Sequence, residues 1–214
     1  MANYFYNFPT TYYINSDDNS DLDVVTDITK RVAFEEEFKK NSAAYIKFVV
    51  TDEDTPEITA FKFYGDAEKH WIVLMMNDII DPQFDWPMKE RDLIKFINNK
   101  YSANASNTQT GLEWAQSNIQ SYYKVETKTI VSTGEKSEDK IKVDSGTYAN
   151  ITPSNVTYTL QNGKQLTIAT SKETETYFEY ETELNDEKRN IILLRDEFVP
   201  AAMRELKTIF EINS

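Results

Sequence analysis

Two spacings of hydrophobic residues divide the chain. Between Thr55 and Met88 apolar residues recur at helical intervals, whereas between Ser121 and Glu183 they alternate with Thr, Lys and Glu. Helical intervals place side chains on one face of a helix, and strict alternation is typical of antiparallel strands with one solvated face. The pattern therefore predicts an α+β fold, with a compact helical module ahead of a sheet.

Capping residues delimit two helices within this helical module. Thr55 suits the N-cap of the first helix, Pro56 its first position, and Gly65 the left-handed position that ends it. Asp66 suits the cap of a second helix, and Asn77 ends it by offering side-chain hydrogen bonds to the turn. We therefore expect a helix-turn-helix of two short helices.

Segments around the module add further elements. The β-branched and aromatic run at 45–50 predicts a strand. Pro82 and Pro87 are expected to keep 79–86 out of helical conformation. More helices are predicted over 33–40, 88–100 and 111–120.

Turn residues subdivide the alternating region. Asn162-Gly163 predicts a hairpin with a two-residue turn, and 132–134 predicts a second turn. The alternation continues through 176–184, which is predicted to be a strand. The small, polar segment before this region, 101–110, is the best candidate for a linker.

Aromatic residues mark both ends of the chain. Residues 1–25 predict either an extended arm that lies on another protein or a strand that packs on its own domain, with Asp17, Asp18, Asp21 and Asp23 in a solvated loop. The segment 189–195 predicts a buried strand. A final helix is predicted to begin with Asp196 as its cap and Pro200 in its first turns, and to turn inward Ala201, Leu206, Ile209 and Phe210.

Charge and composition narrow the possible partners. The 214 residues carry a net charge of −13 and no cysteine. Such acidity disfavours nucleic acid and anionic membranes as partners, and the lack of cysteine excludes disulfides and thiolate chemistry. We expect a soluble protein made in the cytosol, without a signal peptide or membrane span.

Candidate chemistry is sparse. His70 is the sole histidine, and neither a nucleophile nor a second imidazole accompanies it, so we expect it to pack on a helix surface. Carboxylate pairs are numerous because the chain has 36 acidic residues. We predict no catalytic residues, no metal and no cofactor. Of the aromatic residues in the helical module, Trp71 is expected in the core and Trp86 at the surface.

The helical module resembles a known family. Its LysM-like positions are Tyr64-Gly65-Asp66, Trp71, Asn77 and Asp81-Pro82. The longer strings PEITAFKFYG, HWIVLMMNDIIDP and FDWP are similar to the LysM-containing baseplate wedge proteins of T-even-like contractile-tailed phages. Residues 25–28 and 187–191 also resemble that family.

The resemblance implies a structural role without cofactors. A protein of this family would join wedge subunits around the tail hub and clamp neighbouring wedges, in multiple copies in the virion tail baseplate, after assembly in the host cytoplasm. Its partners would be other baseplate wedge proteins, including the ring-forming wedge scaffold. The domains expected are an N-terminal arm with a short helix (1–44), a small LysM-like βααβ core (45–101), a linker and β-hairpin region (102–184) and a C-terminal strand and helix (185–214).

Two alternatives stay open. A LysM module could instead bind peptidoglycan or chitin through Tyr64, Asn77 and the turn at 79–82, although 53–56 and Thr59 depart from the LysM pattern. A carboxylate-based hydrolase is the other alternative, and it requires two facing acidic groups.

Protein contacts are expected at the aromatic ends and at the loops around Asp54, Ile79 and Trp86. The candidate interface residues are Tyr4, Phe5, Phe8, Tyr12, Tyr13, Asp54, Pro56, Ile79, Asp81, Pro82, Phe84, Trp86, Phe198 and Phe210.

Overall fold

The computed structural model describes residues 8–14, 22–29, 33–34, 39, 42–106 and 108–212. Helices and antiparallel sheets alternate along these residues, which confirms the α+β class. The chain forms two compact units: unit 1 comprises 1–90 and 185–214, and unit 2 comprises 91–184.

The elements occur in the following order. Unit 1 begins with strands β1 (Thr10–Ile14), β2 (Leu22–Thr26) and β3 (Tyr45–Val49), then helices α1 (Pro56–Tyr64), α2 (His70–Met76) and α3 (Pro82–Asp85). Helix α4 (Glu90–Lys100) leads into α5 (Gly111–Ser117), β4 (Ile119–Ile130), β5 (Lys136–Val143), α6 (Ser145–Asn150), β6 (Ser154–Thr159) and β7 (Gln165–Thr176). Helix α7 (Tyr177–Glu187) returns to unit 1, which closes with β8 (Asn190–Leu194) and α8 (Val199–Ile212).

A two-stranded sheet lies at the centre of unit 1. Strands β3 and β8 pair antiparallel, with Phe48 opposite Ile191. Alternate residues of β8 enter two different apolar clusters: Ile191 and Leu193 pack in one cluster, and Leu194 packs in the other. Both faces of the strand are thereby covered, which explains the continuous apolar run that predicted a buried strand at 189–195.

The two predicted helices of the module are confirmed. Thr55 caps α1 by accepting from the Ile58 N–H at 3.3 Å, and Gly65 ends it with a left-handed φ of 67°. Asp66 caps a single 3₁₀ turn over Ala67–Lys69, and α2 follows this turn directly. The buried side of α2 presents Trp71, Ile72, Val73, Met75 and Met76.

Unit 2 combines a four-stranded sheet with four helix segments, which belong to α4, α5, α6 and α7. The antiparallel order is β5-β4-β7-β6, so β5 and β6 form the edges. Beside the sheet, the rings of Tyr101, Trp114 and Tyr177 lie 5.0–5.5 Å apart. Tyr101 also donates to the buried Glu181 carboxylate at 2.7 Å.

The prediction of a strand over 176–184 is wrong, because β7 ends at Thr176 and α7 begins at Tyr177. Thr176 and Glu179 form a reciprocal cap: the Glu179 N–H donates to the Thr176 hydroxyl, and the Thr176 N–H donates to the Glu179 carboxylate. This capping box starts a helix despite the alternating pattern.

Two local predictions need correction, and one helix was not predicted. Residues 82–85 form α3, because proline is tolerated at the first helical position and Asp81 supplies the cap. The β6–β7 hairpin is confirmed, but three residues separate Leu160 from Lys164, whose backbones bond at 2.8 Å, and Gly163 is left-handed. Helix α6 lies in a segment for which no helix was predicted, and Asp144 caps it.

At the N-terminus, Asp23 lies in β2 rather than in a loop, and β1 pairs with β2. Asp17, Asp18 and Asp21 lie outside the described residues, as does most of the helix predicted at 33–40; Ala33 and Phe34 are not helical, whereas Lys39 is. At the C-terminus the predicted helix is confirmed as α8. Asp196 does not cap it, because Asp196 opens a 3₁₀ turn and pairs with Lys69 at 3.2 Å.

Candidate protein interface

Strands β1 and β2 form an exposed ribbon, which we call the N-terminal ribbon (residues 10–14 and 22–26). Tyr12 lies opposite Val24, and Leu22 follows on the same face because side chains alternate along a strand. Tyr12 is 75% exposed and Val24 is 64% exposed. The ribbon thus presents an apolar face to solvent, although a lone two-stranded ribbon has little stability in water.

The two described residues before the ribbon, Phe8 and Pro9, are fixed to unit 1. Phe8 is buried in the cluster that contains Trp71 and Leu206. Just after it, the Pro9 carbonyl accepts from the Asp27 N–H at 2.8 Å, which closes the base of the ribbon. Phe8 therefore acts as an anchor, and among the described residues of the predicted aromatic end Tyr12 and Tyr13 are exposed.

The residues around α3 form a second exposed surface, the α3 loop (79–86). Ile80 and Phe84 expose their apolar side chains, and Asp81 and Pro82 are exposed beside them. The Asp85 carboxylate accepts from the backbone N–H of Ile80 at 3.2 Å and of Asp81 at 2.9 Å. These bonds hold the apolar side chains on a defined backbone, which lowers the entropy lost on binding.

Asp54, Pro56 and Trp86 are buried within unit 1, and Trp86, which was expected at the surface, is only 6% exposed. The Trp86 indole N–H donates to the Asp54 carbonyl at 2.9 Å. Indole rings are buried readily when their N–H finds an acceptor. Asp54 and Trp86 thus support the loops from inside.

The Asp54 carboxylate has a dense set of partners. It accepts from the Thr51 N–H at 2.9 Å, the Thr51 hydroxyl at 2.7 Å and the Lys62 ammonium. Burial by itself would raise the pKa of Asp54, but the hydrogen bonds from Lys62 and Thr51 outweigh it and hold that pKa below its ordinary value.

The remaining candidates have varied positions. Ile79 is half-buried against the cluster that contains Trp86, and Phe198 is half-buried against the cluster that contains Phe8. Tyr4, Phe5 and the side chain of Phe210 lie outside the described part of the chain.

The residues of the alternative saccharide groove are engaged within unit 1. The Asn77 amide donates to the Ile192 carbonyl and accepts from the Ile192 N–H, both at 2.8 Å. The Tyr64 hydroxyl donates to the Leu194 carbonyl at 2.8 Å, and burial raises the pKa of this phenol. These side chains form hydrogen bonds with backbone groups on the side of β8 that does not pair with β3, and they are therefore occupied within the fold.

Acidic residues that lie close to another carboxylate in the sequence have structural partners. Asp52 pairs with Arg189 at 2.6 Å, and this hydrogen bond lowers the pKa of Asp52. Asp78 pairs with Lys39, while Asp66 and Asp81 act as caps. Within the described residues no group of three or more acidic or histidine side chains is arranged to hold a metal ion. The His70 imidazole contacts the Ala67 carbonyl at 3.1 Å.

Sequence reasoning missed Leu22, Val24 and Ile80 as exposed apolar residues. The run 22–26, LDVVT, carried a usable signal, since β-branched residues close to an aromatic run indicate a second strand. For Ile80 there was no such signal, because exposure of a loop residue depends on tertiary packing.

None of the helices in the described ranges has the length and hydrophobicity that crossing a bilayer requires.

Comparison with known proteins places both units in one family. A family model described as base plate wedge protein 53 matches residues 4–209. No curated protein matches the chain. The family match takes in the N-terminal ribbon, the α3 loop and the whole of unit 2. The chain therefore belongs to the base plate wedge protein 53 family, and it is a structural protein of the phage baseplate.

Proposed function

We propose that this protein joins wedge subunits around the tail hub of a contractile phage tail and clamps neighbouring wedges, without catalysing a reaction. The exposed N-terminal ribbon is the observation that carries the proposal. Its apolar face is formed by Tyr12, Leu22 and Val24 and has no cover within the described residues. Contiguous exposed apolar side chains on a soluble protein mark contact surfaces.

Docking would stabilise both the ribbon and the complex. A partner that covers the ribbon removes apolar area from water, at about 25 cal/mol per Å². Tyr12 supplies the rigid aromatic type that dominates interface energies. Phe8 keeps the ribbon attached to unit 1, so that a load on the docked ribbon is transmitted to the core.

The α3 loop supplies a second contact in this proposal. Its apolar residues Ile80 and Phe84 are exposed and its backbone is fixed by Asp85. A clamp needs at least two attachment points, and unit 1 offers the ribbon and this loop. The partners we propose are other baseplate wedge proteins, including the ring-forming wedge scaffold, with several copies of this chain assembled into each virion.

Chain order supports a LysM-like core in unit 1. Strand β3, helices α1 and α2, and strand β8 follow a β-α-α-β order if residues between α2 and β8 are set aside. We infer that the core is discontinuous in sequence and takes its second strand from 190–194. In this family role, the core would hold the two contact surfaces in place.

Charge placed on the ribbon tests the proposed function. We expect the double variant Tyr12→Glu, Val24→Glu to lower incorporation into wedges at least about tenfold, because carboxylates would be desolvated at the interface. Co-sedimentation with the other baseplate wedge proteins measures incorporation. The midpoint of thermal unfolding should stay unchanged, since both side chains are exposed.

Val131→Glu is the matched control, since Val131 is 50% exposed in a turn of unit 2. It should assemble like the unaltered chain. Normal incorporation of the ribbon variant would remove the basis of the proposal. Retention of the unaltered chain on insoluble peptidoglycan, competed by soluble chito-oligomers, would instead favour the saccharide-binding alternative.

A further inference from the structure

Strand β6 is an edge strand without charged residues. All six of its residues are exposed. It lies in a stretch of 27 residues, 145–171, in which Lys164 is the single charged side chain, whereas charged residues make up 28% of the chain. Proteins usually guard an open edge with charge, proline or a bulge, and β6 has none of these over Ser154–Thr159.

The open side of β6 presents backbone hydrogen-bonding groups. The Leu160 N–H donates to the Lys164 carbonyl of the facing strand at 2.8 Å. Hydrogen bonding alternates along an antiparallel strand, so the N–H and C=O groups of Asn155, Thr157 and Thr159 are directed away from β7. No described strand lies on that side, because β6 ends the sheet.

We propose that β6 is a self-association edge, at which a second copy of this chain adds its own β6 in the antiparallel direction. With Thr157 on the two-fold axis, Asn155 of each copy faces Thr159 of the other, and Val156 faces Tyr158. The residues that face each other then share a face of the sheet, and the outward backbone groups form hydrogen-bonded pairs.

The side chains on one face favour this register. Val156 and Tyr158 are 44% and 51% exposed, and they stand beside the half-buried Ile168 and Leu166 of β7. When two copies of β6 pair with Thr157 on the axis, these four residues and the same four residues of the second copy form one continuous apolar row across the joined sheet. Pairs of an aromatic with a β-branched residue are among the favourable cross-strand contacts.

Charge argues for a second copy as the occupant and limits the assembly to two. Two chains of net charge −13 repel each other, and this repulsion is smallest where both surfaces are uncharged. The opposite edge, β5, is guarded by five charged residues, which are Lys136, Glu138, Asp139, Lys140 and Lys142. An isologous contact at β6 therefore closes after two copies and leaves only the charged β5 edge of this sheet open, which disfavours further growth.

The contact is small and separate from the wedge contacts proposed above. One short strand and its neighbours on each side fall at the low end of interface sizes, below ~1,200 Å². We therefore expect a weak dimer that forms at high protein concentration. Sedimentation equilibrium of the full chain over a concentration series should fit a monomer–dimer equilibrium.

Thr157→Lys tests the edge. It places two like charges across the axis, and we expect self-association to weaken at least about tenfold. Ser137→Lys, which adds the same charge to an exposed position of the β5 edge, should leave self-association unchanged. Circular dichroism verifies that both variants fold.

Two further measurements test the register. In a chain without cysteine, Thr157→Cys should give a covalent dimer on mild oxidation, because Cα atoms of a hydrogen-bonded pair lie about 5.5 Å apart, within disulfide reach. Ser137→Cys should remain monomeric. Amide exchange should slow with rising concentration at Asn155, Thr157 and Thr159, and not at Val156 or Tyr158.

A chain that stays monomeric at every concentration, with no Thr157→Cys dimer, overturns the proposal. Dimers that survive Thr157→Lys overturn it too, because they must form elsewhere. If the chain is monomeric and Thr157→Lys blocks incorporation into wedges, the edge receives a strand from another protein, and self-pairing is refuted.

Discussion

At the residue scale, side-chain amides take the place of backbone groups in unit 1. Asn77 makes a two-way hydrogen-bonded pair with Ile192, and Asn185 makes a similar pair with Met88, at 2.7 and 3.0 Å. Each asparagine satisfies backbone groups that no strand reaches. An unpaired buried group would cost about 1–3 kcal/mol, so both side chains contribute to the stability of unit 1.

Asp54 makes the stability of unit 1 dependent on pH. Its folded pKa lies below its ordinary value of 3.8, so its contribution is present above that value and is lost as the pH falls through the folded pKa. The Thr51 bonds should contribute most, because the Lys62 side chain is about half exposed and its charge is screened. Asp54→Asn should cost about 1–3 kcal/mol of unfolding free energy at neutral pH.

Denaturant titration of both chains at neutral pH and near pH 3 measures this effect. The difference between the two chains should shrink at the acidic pH, because the contribution of the ionised Asp54 carboxylate declines as the pH falls below 3.8 towards the lowered folded pKa. Glu53→Gln, a change at the exposed neighbour, serves as the control for loss of a carboxylate. A constant difference across the pH range would show that Asp54 acts through its shape and not its charge.

At the element scale, helix starts depend on short capping motifs. Thr110 with Glu113 and Thr176 with Glu179 form the same reciprocal cap at the starts of α5 and α7. At α5 the cap agrees with the apolar pattern, and the helix was predicted. At α7 the cap overrides an alternating pattern, which is why the strand prediction failed there.

Gly111 provides a prediction about the packing of α5. A Cβ on Gly111 would lie 2.1 Å from the Asn98 carbonyl oxygen and 2.8 Å from the Ser102 nitrogen, both backbone atoms. Neither atom can move away cheaply, so Gly111→Ala should lower the unfolding free energy by about 1–3 kcal/mol. Calorimetric melting of the full chain measures the loss.

Gly146→Ala is the matched control, because its nearest neighbour is a side-chain oxygen of Asp144 at 3.1 Å and alanine favours helix α6. We expect this control to be close to neutral. Equal losses of unfolding free energy in the two variants would mean that the close backbone atoms around Gly111 are not the cause of the destabilisation.

Local signals in the sequence predicted much of the fold. The Thr55 cap, the left-handed Gly65 and the strand β4 are predicted from a few neighbouring residues, and the structure confirms them. The burial of Trp86 and the pairing of β3 with β8 depend on residues far apart in the chain. Periodicity carries no information on such distances, so the candidate interface was predicted by residue type and not by exposure.

At the scale of the whole molecule, unit 1 is interrupted by unit 2. Residues 1–90 and 185–214 form one compact unit. The chain leaves unit 1 and re-enters it at adjacent positions, since Met88 is hydrogen bonded to Asn185. A segment inserted between adjacent points adds little strain to its host.

Replacement of 91–184 by a short Gly-Ser linker should therefore leave unit 1 folded. We expect a single cooperative unfolding transition and near-ultraviolet circular dichroism from the buried Trp71 and Trp86. As a control, the same linker with Leu193→Asp, which charges a fully buried position of β8, should not fold. A shortened chain that lacks cooperative unfolding would show that unit 1 needs unit 2.

The pairing of β3 with β8 also sets an order of events during synthesis. A ribosome adds roughly 5–20 residues per second, and domains fold as units, so β8 leaves the exit tunnel ~7–30 s after β3. Every residue of unit 2 emerges within that interval. Unit 2 is therefore free to fold first, while Ile46 and Phe48 of β3 wait without their partner strand. Premature termination between 177 and 189 would release a chain with a finished four-stranded sheet and an open, aggregation-prone unit 1, so quality control of the nascent chain matters most over its last few dozen residues.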